Sequence, residues 1–412
     1  MEALLLNYGA DWLNLLLRWL HVIAGVAWIG ASFYFIWLDN SIKPPAPGSE
    51  LQKKGVSGEL WAIHGGGFYN PQKYLVAPKQ LPAELHWFKW EAYTTWLSGF
   101  ALLTIVYYFN APAMMIDRSV ADLGAWQAIA IGVGSMVIGW TVYDLLCRSP
   151  LAKKELLLGV MLFLLLVFAA WGLSKLLSGR AAFLHVGAII GTIMVGNVLM
   201  IIIPGQRKMV DAMRAGGSPD PIHGLRGKQR SVHNNYFTLP VVFIMISNHY
   251  AMTYSHAWNW LVLAAIMAAG VLIRHFFNLR HKGRIAWGYP AAGLALLLLT
   301  AVVIAPRPSG QGAAGGAAAA VDFGRVQSVI GQRCVSCHAE RPTQAGFASA
   351  PAGIMLQTAE QIHRNAEKIY RQAVQLKAMP IGNLTGMTDE ERTLIARWYE
   401  GATNTNHVRQ GP

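Results

Sequence analysis

Eight apolar segments separated by polar stretches occupy the first 305 residues of the chain. Each is close to the roughly 20 helical residues that cross the hydrocarbon core of a bilayer. They run from Trp12 to Leu38, Trp90 to Phe109, Ala125 to Leu146, Glu155 to Leu177, Ala181 to Ile203, Tyr236 to Tyr254, Trp258 to Asn278 and Trp287 to Ala305. This pattern predicts an all-α fold, a polytopic bundle of eight transmembrane helices in a lipid bilayer, formed by residues 1–305.

The sequence changes character after Ala305. Residues 306–320 are rich in proline, glycine and alanine, which is typical of a flexible tether. Residues 321–412 are then predicted to form a small α-helical domain. Its last helix begins with the capping box Thr388-Asp389-Glu390-Glu391. Apolar residues follow this box at core spacing, namely Leu394, Ile395, Trp398 and Tyr399.

Composition and charge distribution support a membrane protein with a defined orientation. The chain is 54% hydrophobic and 13% charged, whereas soluble proteins are roughly 25% charged. Its net charge of +13 comes largely from basic residues in the loops after the first, third, fifth and seventh segments. Loops of this kind are cytoplasmic by the positive-inside rule, so the N-terminus and the C-terminal domain are predicted to lie outside. The positive charge is thus a topology signal, and no nucleic-acid partner is expected.

The motif Cys334-Val335-Ser336-Cys337-His338 carries the clearest chemistry in the chain. It has the C-x-x-C-H spacing of a c-type haem attachment site, in which two thiols bond the haem and the histidine ligates its iron. Zinc would need a second ligand pair, and the third cysteine, Cys147, lies far away in an apolar segment. A thioredoxin-like motif would need a βαβ context. We therefore expect one covalent haem c, attached in the periplasm at a bacterial inner membrane.

A methionine is the expected second axial ligand, because a thioether raises the reduction potential of the iron. Met379, in Lys377-Ala378-Met379-Pro380, is the preferred candidate, since a Met-Pro pair in a loop can hold sulfur against iron. Met355 and Met387 are the competing residues.

Polar residues at membrane depth are functional candidates. A first group lies near the predicted outer side and consists of Arg18, His21, His185, Asn248 and His249. Two of the histidines His21, His185 and His249 could ligate a b-type haem between helices, or they could line an outer substrate site. The alternative is that these side chains form hydrogen bonds between helices or face lipid headgroups.

A second polar group lies on the predicted cytoplasmic side. Its members are His64, His86, Glu91, His233, Asn234, Asn235, Arg274, His275 and Asn278. Amides supply donors and acceptors, histidines can transfer protons, and arginine pairs with anions. Arg274 and His275 could instead be ordinary positive-inside residues, and Gly65-Gly66-Gly67 a simple turn, since they lack the spacing and lysine of a phosphate-binding loop.

Three phrases of the membrane region resemble a known family. They are Trp-Ala-Ile-His-Gly-Gly-Gly-Phe-Tyr at 61–69, Leu-His-Trp-Phe-Lys-Trp-Glu-Ala-Tyr at 85–93 and His-Asn-Asn-Tyr-Phe-Thr-Leu-Pro at 233–240. Together with eight predicted spans and the C-terminal haem motif, they resemble the bacterial membrane-bound, cytochrome c-linked urate oxidases (PuuD type) over essentially the whole chain. The resemblance implies oxidation of urate to 5-hydroxyisourate without peroxide formation. Electrons would leave through the haem at Cys334, Cys337, His338 and Met379.

The urate pocket itself is a hypothesis from chemistry. Urate is a planar monoanion, so its pocket should supply in-plane hydrogen bonds, aromatic stacking and a base. The cytoplasmic group offers Asn234, Asn235 and Arg274, the rings of Trp87 and Trp90, and a base among His64, His86 and His233. The haem is predicted on the other side of a core about 30 Å thick. Either a second redox centre bridges that gap, or urate binds near the outer histidines.

Two other functions compete with this interpretation. A membrane-anchored cytochrome could pass electrons from quinol or a dehydrogenase without a substrate site of its own, but such a protein needs no long, aromatic cytoplasmic loops. A transporter should show repeat symmetry or broken helices. For the urate oxidase, the expected downstream partner is a soluble cytochrome or a terminal oxidase.

Overall fold

The computed structural model describes residues 2–305, 321–344, 347 and 349–408, and it is mostly helical. The predicted tether, 306–320, lies outside the described residues. The first helices are α1 (Glu2–Ser41), α2 (Glu50–Lys53), α3 (Trp90–Leu103), α4 (Ala111–Met114), α5 (Ala125–Arg148), α6 (Glu155–Ser174), α7 (Gly179–Gly196) and α8 (Ile203–Arg214). The remaining helices are α9 (Pro221–Ser247), α10 (Ala251–Tyr254), α11 (Asn259–His281), α12 (Gly288–Val303), α13 (Phe323–Arg333), α14 (Ala359–Arg364), α15 (Ala366–Ile369) and α16 (Asp389–Val408).

Among the described residues, five helices are long and apolar enough to cross a membrane. They cover Asp11–Ser41, Ala125–Arg148, Glu155–Ser174, Gly179–Arg214 and Asn259–His281. The predicted second span is a 14-residue α-helix that continues as a π-helical turn over Thr104–Tyr108. The predicted eighth span is α12, which has 16 residues. The membrane character of the chain therefore stands, and the count of eight spans stays a prediction.

The predicted boundaries of the sixth span and of the loop before it are wrong. The sequence predicted a loop from Pro204 to Asn235 and a span from Tyr236 to Tyr254. In the structure, α7 runs through a π-helical segment into α8, and α9 already begins at Pro221, where the Asp220 side chain accepts the N–H of Ile222. Hydropathy marks only the apolar part of a helix, whereas a capped helix continues through polar residues as long as its backbone stays hydrogen-bonded.

The segment between α1 and α3 contains four short strands. Strand β1 (Val56–Glu59) pairs with β4 (Gln72–Tyr74), and β2 (Ala62–His64) pairs with β3 (Gly67–Tyr69), both antiparallel. Gly65 and Gly66 have positive φ and turn the inner hairpin, so the glycine run is a turn. Asp39 pairs with Lys73 of this segment and, at 3.0 Å, with Lys228 of α9. The loop is therefore folded and attached to α1 at Asp39, and the same carboxylate joins α1 to α9.

Helix α7 lies at the centre of the helical packing, with twelve of its residues buried. Neighbouring helices approach α7 closely because the residues at the contacts are glycines, which have no side chain. A Cβ on Gly139 of α5 would lie 2.6 Å from Cγ2 of Ile189, and one on Gly187 would lie 2.5 Å from Cγ2 of Ile244 in α9. The surrounding core includes Tyr143, Leu158, Phe183 and Leu263.

Helices α13 to α16 enclose a separate hydrophobic core. Its buried residues are Val326, Ile330, Leu356, Ile362, Ile369, Ala373, Met387, Ile395 and Trp398. The predicted capping box of α16 is confirmed, since Thr388 Oγ1 accepts the N–H of Glu391 at 3.2 Å and a Glu391 oxygen accepts the N–H of Thr388 at 2.9 Å.

Candidate functional site

A cavity of about 450 Å³ lies between α1, α9 and α11. This volume is within the range of small-molecule sites, roughly 300–1,000 Å³. Helical spacing brings its lining residues to one face of each helix. They are Phe33, Tyr34 and Trp37 of α1, Leu239 of α9, and Arg274, Phe277 and His281 of α11. The wall is therefore aromatic, with one arginine and one histidine.

Arg274 gives this cavity its charge. It is 5% exposed, and its guanidinium carbon lies 4.0 Å from the centroid of the Phe33 ring. Its Nε donates to Oδ1 of Asn235 at 2.9 Å, whereas Nη2 has no hydrogen-bond partner among the described residues. A buried guanidinium with an unused donor is suited to bind an anion, because an unpaired buried donor costs about 1–3 kcal/mol.

Three further buried atoms near Arg274 lack partners among the residues that the structure describes. Asn278 Nδ2 donates to Asn235 Oδ1 at 3.1 Å, which leaves Nδ2 of Asn235 and Oδ1 of Asn278 without a bond. Nδ1 of His281 is also unpaired. This region therefore combines unused donors and acceptors with aromatic rings, which is the chemistry of a site for a planar, polar-edged anion.

The predicted catalytic residues fall into separate groups, because α9 directs consecutive side chains to different neighbours. Asn235 joins Arg274, as expected. His233 and Asn234 instead meet α5 and the π-helical segment after α7. Tyr143 Oη lies 2.9 Å from Nδ1 of His233, and Asn197 Nδ2 donates to Oδ1 of Asn234 at 2.8 Å.

Arg230 completes this second, buried network. Its Nη2 donates to Oδ1 of Asp144 at 2.7 Å and its Nη1 to Oδ1 of Asn197 at 3.3 Å. Its guanidinium also lies 4.9 Å from the centroid of the Tyr143 ring. Because its polar groups largely satisfy one another, this network is suited to join α5, α7 and α9 and less suited to bind a ligand.

The remaining cytoplasmic candidates lie away from the aromatic cavity. His64 is exposed at the end of β2, and His86 is exposed with its ring 4.5 Å from that of Phe88. Trp87 lines a second cavity of about 300 Å³ with Lys89, Arg207, Val210, Asp211 and Arg214. Trp90 is largely exposed. The structure therefore brings neither the predicted stacking rings nor these two histidines to Arg274.

The three outer histidines are held in different ways. His185 is fully buried, with Nδ1 2.8 Å from the Ala181 carbonyl oxygen and Nε2 3.3 Å from Tyr108 Oη. His21 packs over Gly99, with Nδ1 2.9 Å from the Thr95 carbonyl oxygen. His249 is exposed. Because both nitrogens of His185 are already bonded, this arrangement does not fit a pair of haem ligands, and the membrane haem stays a prediction.

The residues of the haem motif fit the group that the sequence predicts. Cys334, Cys337 and His338 form one tight turn, since the N–H groups of Cys337 and His338 both donate to the Cys334 carbonyl. His338 Nδ1 lies 2.8 Å from the carbonyl oxygen of Ile354. A histidine that donates from Nδ1 presents Nε2 to a metal. Burial raises the pKa of the Cys334 thiol to about 12, and Cys334 packs against the hydrophobic core of the C-terminal helices.

The three candidate methionines differ in their surroundings. Met387 is buried in the core of the C-terminal helices, and Met355 follows Ile354, the residue that holds His338. Met379 is partly buried in a loop, and hydrogen bonds hold both its backbone N–H and its backbone carbonyl. Its N–H donates to Gln372, and its carbonyl accepts Nη1 of Arg392 at 2.8 Å. The assignment of Met379 as the distal ligand therefore stays a prediction.

Sequence reasoning missed most of the cavity. Phe33, Tyr34 and Trp37 lie in an apolar span where aromatic residues are ordinary, and His281 follows the predicted end of the seventh span. One sequence signal could have found two of them. Phe33 and Trp37 are four residues apart, so they share a face of the first span, at the end where the predicted cytoplasmic polar residues lie.

Comparison with known proteins gives one match. Residues 7–305 match the family model described as "Urate oxidase N-terminal". No curated protein and no solved structure matches the chain.

Proposed function

The chain belongs to the urate oxidase N-terminal family, and we propose that it oxidises urate to 5-hydroxyisourate and passes the electrons to a c-type haem on its own C-terminal domain. The observation that carries this proposal is the buried guanidinium of Arg274, with an unused donor, at the wall of an aromatic cavity. Urate is a flat monoanion, so one arginine supplies both its countercharge and in-plane hydrogen bonds. The rings of Phe33, Tyr34 and Trp37 supply surfaces for stacking.

The unpaired polar atoms match the edge of the purine. Urate alternates ring N–H groups with carbonyl oxygens around its perimeter. Asn235 has an unused donor, Nδ2, and Asn278 has an unused acceptor, Oδ1. His281 lines the same cavity and has a free Nδ1. In the proposed site, the amides orient the ring and His281 accepts a proton as the ring loses electrons.

The overall reaction needs an electron acceptor as well as a base. Urate and one water give 5-hydroxyisourate, two protons and two electrons. A c-type haem held by Cys334, Cys337, His338 and Met379 supplies one-electron acceptance at a potential raised by the thioether. It must therefore be reoxidised once per electron by a soluble cytochrome or a terminal oxidase.

The proposed topology separates the two sites. Eight spans would place the N-terminus and residues 321–412 in the periplasm of a bacterial inner membrane. The aromatic cavity lies at the ends of α1 and α11 that precede the predicted cytoplasmic loops. Because the membrane core is about 30 Å thick, the proposal requires an intermediate electron carrier between the two sites, and a b-type haem in that role would need axial ligands other than His185, whose two ring nitrogens are already bonded.

The test is anaerobic addition of urate to membranes that contain the protein, with the absorption of reduced haem c as the readout. Urate should reduce the haem of the wild type and of Arg280→Gln, whose side chain is exposed on the same helix. Arg274→Gln should show no reduction by urate but full reduction by dithionite.

Two outcomes contradict the proposal. Reduction by a quinol but not by urate would support the alternative, a membrane-anchored electron-transfer cytochrome. Equal reduction by urate in Arg274→Gln and wild type would show that the cavity at Arg274 is not the urate site.

A further inference from the structure

The C-terminal helical region touches the membrane region at one unusually close point. Gly382 follows the predicted haem ligand Met379 by three residues and has φ of +55°. A Cβ on this glycine would clash with the carbonyl oxygen of Ile116 and would lie 3.3 Å from that of Ala113. The backbone of the methionine loop therefore rests directly on the end of α4, and only glycine permits this approach.

The surface under Gly382 is firmly anchored in the membrane region. The carbonyls of Met114 and Met115 accept hydrogen bonds from Oγ and N–H of Ser178, at 3.0 and 2.8 Å. Ser178 caps α7, and Ala181 in the first turn of α7 bonds His185. Thus α4 is joined rigidly to the helix at the centre of the packing.

The methionine loop is equally constrained on its own side. Arg392 is buried and donates to the carbonyls of Ala373 and Met379. Asp117, one residue after Ile116, lies close enough to Arg392 to interact with its charge. The contact therefore joins two preorganised backbones, with opposite charges at its edge.

From these contacts we infer that α4 and residues 115–117 form a docking surface that holds the cytochrome domain by its Met379–Asn383 loop. The docking surface itself does not depend on the substrate. With the proposed function, the same surface would also set where a single electron, from a reduced one-electron carrier in the membrane region, reaches a haem c held by Cys334, Cys337, His338 and Met379, which would supply one-electron acceptance. No proton or group is transferred in this step.

The first test measures proximity in the full chain without any substrate. Cysteines replace Pro112, exposed on α4, and Ile381, in the methionine loop, and a short bis-maleimide is added. A protease site inserted within 306–320 then reports whether the two halves are covalently joined. Pro112→Cys/Ile381→Cys should cross-link, whereas the control Pro112→Cys/Glu360→Cys, with Glu360 exposed on α14, should not. Equal cross-linking of both pairs would overturn the inference.

The second test uses a matched pair of glycines. Gly386 also has positive φ, +66°, but the nearest atom to its Cβ position is Nη1 of Arg333 at 3.9 Å. Gly382→Ala and Gly386→Ala therefore share the backbone strain, and only Gly382→Ala disturbs the contact. Gly382→Ala should slow reduction of haem c by urate at least tenfold and lower the cross-linking yield, with a normal dithionite-reduced spectrum. Gly386→Ala should match the wild type.

The two proposals fail in different ways. Cross-linking without any urate-driven reduction would leave the docking surface intact and contradict the urate oxidase. Wild-type reduction rates and cross-linking in Gly382→Ala would contradict the docking surface and leave the urate oxidase intact.

Discussion

At the scale of single residues, urate binding is expected to depend on the shape of the Arg274 side chain as well as its charge. Lysine keeps the positive charge but lacks the planar fork, so Arg274→Lys loses the bond to Asn235 and the in-plane donors. Hydrogen bonds to charged groups contribute about 1.5–3 kcal/mol, which corresponds to about 10- to 150-fold. The urate concentration for half-maximal haem reduction should rise by this factor. Arg280→Lys is the control, and an unchanged value in Arg274→Lys would contradict the assignment.

Substitution of two methionines in the C-terminal region should distinguish the residue that ligates the haem from one that packs in the hydrophobic core. Met379→Ala removes the proposed thioether, so the sulfur-to-iron charge-transfer absorption should disappear and the reduction potential should fall. Met387→Ala opens the hydrophobic core and should lower the free energy of unfolding by about 2–5 kcal/mol while the methionine-ligated spectrum persists. The measurements are the absorption spectrum, the reduction potential and the thermal unfolding of both variants. Loss of that absorption in Met387→Ala alone would reverse the assignment.

The residues of the cavity differ in how well the sequence could predict them. Arg274 stands out because a charged group is costly within an apolar segment, and Asn235 is an amide directly before the predicted sixth segment. Phe33, Tyr34 and Trp37 carry no such signal, since any transmembrane helix contains aromatic residues. His233, Asn234 and Asn235 are consecutive and looked equivalent, but a rotation of about 100° per residue sends them to different neighbours. Only the packing of α9 against α5 and α11 separates them.

At the scale of elements, Asp144 of α5 provides an internal comparison of two ion pairs. It binds Arg230 of α9, whose side chain is 4% exposed, and Arg148 of its own helix, whose side chain is 64% exposed. Arg230→Gln should destabilise the protein by about 3–5 kcal/mol, because it breaks a buried pair. Arg148→Gln should cost at most about 1 kcal/mol. Thermal unfolding in detergent measures both, and equal losses would show that the α5–α9 network is not a structural link.

The junction between α13 and α16 should make the C-terminal region sensitive to acid. Burial raises the pKa of Glu391, but the hydrogen bonds from Arg333 and the Thr388 N–H outweigh it and leave the pKa lowered. A lowered folded-state pKa gives stability above the unfolded pKa, about 4.3 for Glu, that is lost as pH falls through the folded value. Glu391→Gln should therefore be less stable at neutral pH, with its difference from wild type shrinking in acid. Asp389→Asn, which breaks the exposed pair with Lys377, is the control. Haem absorbance followed against pH is the measurement, and a pH-independent difference would contradict this role.

The elements also show where hydropathy succeeds and where it stops. Apolar length located the long helices, and α5 and α11 begin within one residue of their predicted starts. The start of α9 was missed because its first turns are polar and basic, Pro221 to Arg230, and a helix needs only backbone bonds and a cap to continue through such residues. The hairpins between α1 and α3 were also missed. Their three- and four-residue strands are too short to show the alternation that marks a strand.

At the scale of the whole molecule, the proposed function joins two sites through a fixed contact. The cavity at Arg274 lies at one end of the helices, and the methionine loop rests on α4 near the other end, where Ser178 joins α4 to α7. Without this contact, the C-terminal region would be joined to the membrane region through the chain alone. Docking instead holds the Met379 loop against α4, which Ser178 joins to the helix that contains His185, and this would favour reproducible electron transfer from the membrane region.

Eight spans and five spans predict different membrane topologies for this chain, and labelling can distinguish them. With eight spans, the N-terminus and the C-terminal domain share the outer side, whereas the five long apolar helices alone would place them on opposite sides. Single cysteines replace Ser119, after α4, Lys54, between α1 and α3, and Glu360, on α14, all of which are exposed. An impermeant maleimide applied to intact cells with a permeable outer membrane should label Ser119→Cys and Glu360→Cys but reach Lys54→Cys only after lysis. Labelling of Lys54→Cys before lysis would invert the orientation and place the Arg274 cavity on the outer side. Protection of Glu360→Cys would leave the cytochrome domain inside, which is incompatible with periplasmic haem attachment and with the contact between Gly382 and α4.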